Sequence, residues 1–219
     1  MINEKIFEVL KREFVLQEID IKEDAHLSKK GFKFNIKVYN VPEVGHLSFL
    51  TLSGMLGLMK MDTMFLTSNE VDAPLFSIDL VKAMGKYTAL VEIYDTQLKP
   101  VDEKYAKKMT DIREHDKDIA DYDGGEHWYD SLREPFSYAK KSTKKTIDKV
   151  EKSLLDYVKV FSKYVKGLKP CKKDKKVQKN REYVYNLLKN GGPAVNTFKK
   201  LFGEEKTKKI VIDYLYGLE

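Results

Sequence analysis

The chain has 219 residues, 42% of them hydrophobic and 34% charged, with 6 prolines and a formal net charge of +6. That balance suits one folded globular domain over residues 1–219 and excludes disordered and disulfide-built classes. The lone cysteine, Cys171, rules out an intramolecular disulfide and any iron–sulfur or zinc site made of four thiolates from this chain, and it points to a reducing cytoplasm.

Along the chain, residues 3–18 place Ile6, Leu10 and Phe14 at helical spacing with charges opposite, which predicts an amphipathic helix. With mixed charges and no apolar core, this stretch is not expected to be a secretory signal. In "GFKFNIKVYN" the apolar Phe32, Phe34, Ile36 and Val38 alternate with polar residues, the pattern of a half-buried strand, and "NVPEVG" ends it. Further strands are predicted at 46–53, 58–67 and 86–96, with a short one in "LFSIDLV" before the "KAMGK" turn. Connections of about four to eight residues are too short for helical crossovers, so the sheet should be an antiparallel meander. The uncharged run from Val44 to Met59 is broken by Gly, Ser and Thr, so no membrane span is expected.

From Lys99 the character changes to helix and charged loop. The acidic "TDIREHDKDIADYDGGEHWYD" reads as an exposed excursion, and "TIDKVEKSLLDYVKVFSKYV" as a long packed helix with Val150, Leu154, Leu155, Val158, Phe161 and Val165 at helical period. Two more helices follow, "VQKNREYVYNLLKN" and "VNTFKKLFGEEKTKKIVIDYLYGL", joined by "NGGP". A sheet in the first half with helices at both ends implies an α+β fold, a three-layer α/β/α sandwich with a central antiparallel sheet.

Residues 163–181, "KYVKGLKPCKKDKKVQKNR", carry nine basic side chains against Asp174 alone. Such a stretch attracts an acidic partner, either phosphate backbone or protein, or it is simply solvated. Nucleic acid is the weaker partner, because Tyr164 is the only aromatic residue there on which a base could stack.

Familiar chemistries are absent. No G-x-G-x-x-G follows a strand, no phosphate-binding loop appears, no paired His or Cys has metal-ligand spacing, and no G-x-S-x-G elbow is present. Strand alternation puts His46 and Ser48 on one face of their strand and Lys60 and Asp62 on one face of the next. If the two faces coincide, they form an apolar pocket wall with a few placed polar groups; otherwise they are one solvated face of the sheet. Asp79, amid Phe76, Ile78 and Leu80, is a carboxylate in a greasy strand. It either caps a turn or has a chemical role.

These runs resemble the ferredoxin-dependent bilin reductases. "EVDAPLFSIDLV" is similar to the family's stretch ending in Asp-Leu/Ile-Val, and its last Asp is Asp79. "GHLSFLTLSGMLGLMKMDTMF" resembles the preceding strand pair, with His46 at the family's His-x-Glu position. "HWYDSLREPFSYAKK" and "REYVYNLLKNGGPAVNTFKKLFGEEKTKKIVIDYLY" resemble its Trp-containing lead-in to a long helix and its C-terminal helices. The likeness runs, with gaps, over most of residues 45–219. Ser48 stands where the family commonly has Glu, Lys60 at or near its second pocket His, and Ser77 where it has Gly.

The resemblance implies a linear tetrapyrrole held between sheet and C-terminal helices, with no flavin or metal. Electrons come singly from reduced ferredoxin or flavodoxin, docked on the basic 163–181 region. Asp79 would be the proton donor, its pKa raised by desolvation, and His46 its relay partner. Ser48, Lys60, Asp62 and Asn190 would contact the substrate, Lys60 through a propionate or carbonyl. A tetrapyrrole carrier without reductase activity is the alternative.

Overall fold

The computed structural model describes residues 1–218. Helix α1 (Ile2–Glu13) leads into strands β1 (Gln17–Ile19), β2 (His26–Lys29), β3 (Phe32–Val41), β4 (Gly45–Gly54), β5 (Met59–Ser68), β6 (Leu75–Ala83) and β7 (Lys86–Tyr94). Helix α2 (Glu103–His115), strand β8 (Tyr138–Ser142) and helices α3 (Ile147–Gly167), α4 (Lys173–Asn190), α5 (Pro193–Phe202) and α6 (Glu204–Lys209) complete the chain with a π-helical turn, Ile210–Leu215. The strands form one antiparallel sheet in the order β1-β3-β4-β5-β6-β7-β8, with β2 also paired to β3. Short connections make β3 to β7 a meander, as the loop lengths require.

Alternation gives the sheet two apolar faces, and each is covered. Phe49, Met64, Ile78 and Val91 face α1 and α3. Helix α3 offers Val150, Leu154, Val158, Phe161 and Val165 at intervals of three to four residues, so one stripe is buried along its whole length. Phe76 stacks on Phe161 with centroids 4.1 Å apart. Each such fully buried side chain contributes about 1.5–3 kcal/mol. On the opposite face Phe34, Ile36, Val38, Leu50 and Leu52 pack beneath α4, α5 and the C-terminal turn. The result is the expected α/β/α sandwich.

Several elements differ from the sequence reading. The first helix stops at Glu13, because Phe14 is already extended and Gln17 pairs with Asn40 in the sheet. Strand β8 was hidden in a lysine-rich run; its Lys140 is buried, with the amine satisfied by Ile119 O at 3.0 Å and by Asp121 at 2.7 Å. The acidic excursion begins inside α2, and its Asp116 is fully buried, accepting a hydrogen bond from the Tyr138 hydroxyl at 2.7 Å. The last predicted helix breaks at Gly203, whose φ of +82° favours glycine, into α5, α6 and the π-helical turn. Helix α4 starts at Lys173, so much of the basic stretch is helical.

Candidate active site

Between the sheet and helices α4 and α5 lies a cavity of about 840 Å³. Sheet register builds its wall. Thr63, Asp79 and Leu90 are successive cross-strand partners on β5, β6 and β7, as are Phe65, Ser77 and Glu92, so all six side chains share one face. Met59, Met61, Phe34 and Leu50 extend the apolar part of that wall. The opposite side comes from α4 and α5 through Tyr183, Leu187 and Phe198, and from the C-terminal turn through Tyr216, whose ring lies 5.0 Å from Phe65. Trp128 donates its indole N–H to Gly191 O at 2.8 Å, fastening the loop after α2 to the α4–α5 joint.

The polar groups cluster at one end. Asp79 accepts a hydrogen bond from the Thr63 hydroxyl. Loss of solvent raises its pKa to about 7; the neighbouring Glu92 carboxylate pushes the same way and the Thr63 bond opposes both. Glu92 is raised as well, first by desolvation, against the Tyr94 hydroxyl and the Arg133 guanidinium, which stabilise its anion. Arg133 sits 3.7 Å from Glu92 and 2.7 Å from Asp130. His127, on the same loop, stacks on Tyr129 with centroids 4.9 Å apart and lines the cavity. Burial holds the Tyr216 hydroxyl far above its usual pKa, so it stays a hydrogen-bond donor. The cavity therefore holds a carboxyl group able to be protonated near neutrality, a second carboxylate beside it, and a cation screening that second one.

Of the residues expected from sequence, Asp79 alone lines the cavity. His46 is buried at 7% exposure, and its Nε2–H donates to Tyr214 O at 2.9 Å. Desolvation lowers its pKa, which keeps the ring neutral. Ser48 donates to Leu215 O at 2.8 Å. Both tie the C-terminal turn to the sheet and stand outside the lining, so their placement in the pocket is corrected. Lys60 and Asp62 occupy the other face, because β4 pairs Ser48 with Phe65 and Thr51 with Asp62. Asp62 accepts from Ile2 N at 3.1 Å and from the Thr51 hydroxyl at 3.0 Å, capping the N-terminus of α1 where a negative charge is favoured. Lys60 and Asn190 are exposed and likewise outside the lining.

Sequence reasoning missed Glu92, Arg133, His127 and Tyr216. One signal was available for Glu92: like Asp79, it is a lone acid in an apolar strand, "TALVEIY". The other three are brought to the cavity by loops and the C-terminal turn, for which strand periodicity carries no information.

A second depression, of about 1,630 Å³, is lined by Lys163, Lys169, Lys172, Lys175 and Lys179 together with lysines from α2 and α3, and by the acids Asp72 and Asp102. It shares no lining residue with the cavity. Lys176, from the same helix, turns inward to Thr96 O at 2.9 Å and Asn180 Oδ1 at 2.7 Å, and burial lowers its pKa to about 8. Among the described residues no group of three or more His, Cys, Asp or Glu is placed to hold a metal ion, and no helix is long and apolar enough to cross a membrane.

A family model described as ferredoxin-dependent bilin reductase matches residues 3–217. Phytochromobilin synthase from tomato, crystallised in complex with biliverdin, is similar in structure with a TM-score of 0.80 and 15% sequence identity, covering 98% of this chain and 81% of that one. That likeness shows a common fold. No curated protein sequence matches the chain.

Proposed function

The chain belongs to the ferredoxin-dependent bilin reductase family, and on that premise we propose that it reduces a heme-derived open-chain tetrapyrrole such as biliverdin, with Asp79 as proton donor. The observation that carries this reading is Asp79 itself, a carboxyl group with a pKa of about 7 on the wall of a cavity otherwise lined mainly by apolar and aromatic side chains. A cavity of about 840 Å³ is within the range of small-molecule sites and has room for a molecule of that size.

The reduction adds two electrons and two protons across one double bond. Electrons arrive one at a time from reduced ferredoxin or flavodoxin. Each puts negative charge on the conjugated ligand, raising its basicity and drawing the proton from Asp79. After the first transfer the Asp79 carboxylate faces Glu92, and this repulsion favours its reprotonation from solvent. We assign docking of the acidic donor protein to the lysine-lined depression around residues 163–181, where the charges are complementary. No resident flavin or metal takes part in this scheme.

The test is to mix the protein with biliverdin without oxygen, record the absorbance spectrum, and then add ferredoxin with a reducing system. A red-shifted or sharpened bilin band on mixing, followed by bleaching on reduction, is the expected result. No change on mixing would refute the reading. Binding without reduction would leave a tetrapyrrole carrier, a second reading favoured by the engagement of His46 and Ser48 with the C-terminal turn.

A further inference from the structure

Three hairpin tips project from one end of the sheet: Lys30–Gly31 between β2 and β3, Met55–Leu58 between β4 and β5, and Met84–Gly85 between β6 and β7. The last two touch, since Met84 N donates to Leu58 O at 3.2 Å. They hold four of the seven large exposed aliphatic side chains of the described residues close together: Leu56 is 105% exposed, Met84 79%, Leu58 59% and Met55 53%. Met55, Leu56 and Met84 have φ of +52°, +54° and +50°, a left-handed conformation that glycine or asparagine would adopt at less cost. Long apolar side chains are therefore held outward where neither solubility nor turn geometry favours them.

The surrounding charge has one sign. Stretches 28–34, 53–61 and 81–88 contain no acidic residue, and their lysines, Lys29, Lys30, Lys33, Lys60, Lys82 and Lys86, are exposed. Among the described residues none of the six pairs with a carboxylate. Protein interfaces favour aromatic residues, methionine and arginine and are poor in lysine; Met55 and Met84 would suit either kind of surface, whereas the ring of six lysines without acids and the absence of aromatic or arginine residues at the tips set them apart from a protein interface. That combination suits a phospholipid surface, with the aliphatic groups entering the headgroup–acyl boundary and the ammonium groups meeting lipid phosphates.

We propose that these tips dock the protein peripherally on an anionic phospholipid surface, without spanning it. The lysine-lined depression differs in kind, because it has charge but none of the large exposed aliphatic residues. Met59, Met61 and Val81, directly behind the tips, line the cavity, so a docked molecule holds its ligand site close to the lipid.

The test is flotation of the full chain with vesicles of phosphatidylcholine alone or mixed with phosphatidylglycerol, at low and high salt. Flotation with the mixed vesicles only, reversed by salt, is expected. The double substitution Leu56→Ser with Met84→Ser should lower partitioning at least about tenfold, and Lys82→Gln about fivefold. Lys172→Gln with Lys175→Gln, in the depression, should change it far less. Far-ultraviolet circular dichroism and the thermal midpoint verify that each variant is folded, and Lys82→Gln keeps the test decisive if the double variant is not.

Failure to float with the mixed vesicles overturns the proposal. So does equal binding to neutral vesicles, or loss only in the depression variant. A vesicle-free protein that sediments as a dimer, and as a monomer after Leu56→Ser with Met84→Ser, would show instead that the tips cover a second copy of the chain.

Discussion

Asp79 and Glu92 stand on one wall of the cavity, diagonal to each other across β6 and β7, and the Glu92 carboxylate makes Asp79 harder to ionise. The folded-state pKa of Asp79 is above its unfolded value, so the folded protein binds the extra proton between pH 3.8 and about 7. Stability therefore falls as pH rises through that window and levels off above it. Asp79→Asn keeps an acceptor for the Thr63 hydroxyl and removes the titration. Its stability relative to wild type should rise between pH 5 and pH 8 by up to about 2.5 kcal/mol. Urea unfolding at the two pH values measures this, and parallel behaviour of the two proteins would contradict it. Glu92→Gln removes the neighbouring charge and should lower the Asp79 pKa. The alkaline limb of the bilin-reduction profile would then move to lower pH, whereas an unmoved limb would show that the two groups do not interact. Asp79 was legible in the sequence because a lone acid in an apolar strand is conspicuous. Glu92 carried the same mark, but its importance comes from the register that sets it beside Asp79.

At the level of elements, side-chain alternation fixes which residues of one strand share a face, but not which face of the next strand they meet. The turn between strands decides that. The β4–β5 turn pairs Ser48 with Phe65, partners of opposite parity, so the even-numbered residues of β4 lie with the odd-numbered residues of β5. This is why Lys60 and Asp62 lie on the face opposite His46 and Ser48, a question that alternation left open, while the strands themselves were readable from periodicity. The C-terminal turn was equally opaque, because its place depends on hydrogen bonds from residues nearly 170 positions earlier. His46→Ala would leave the buried Tyr214 carbonyl without its donor and should cost about 1–3 kcal/mol, with loss of amide-exchange protection across residues 210–218. Gly217→Ala should do more damage, since a Cβ there would lie 2.2 Å from the His46 ring on a backbone with φ of +59°. Unchanged protection in both variants would show that the turn is not held by this contact.

Over the whole molecule, one antiparallel sheet separates two unlike sides. The side beneath α1 and α3 is a dense apolar core, and the side beneath α4 and α5 holds core at one edge and the cavity in the middle. The layering followed from composition and connection lengths; the hollow did not, because it depends on how far α4, α5 and the aromatic loop residues stand off the sheet. The account of function rests on this hollow delivering protons from Asp79 to an open-chain tetrapyrrole that receives electrons from outside. The most direct measurement is anaerobic absorbance spectroscopy of the Asp79→Asn variant loaded with biliverdin and supplied with reduced ferredoxin, beside the wild type. The account expects the variant to bind biliverdin with the wild-type spectrum and then stall, accumulating a one-electron-reduced bilin while the wild type goes on to product. Conversion of biliverdin by the variant at the wild-type rate would contradict it.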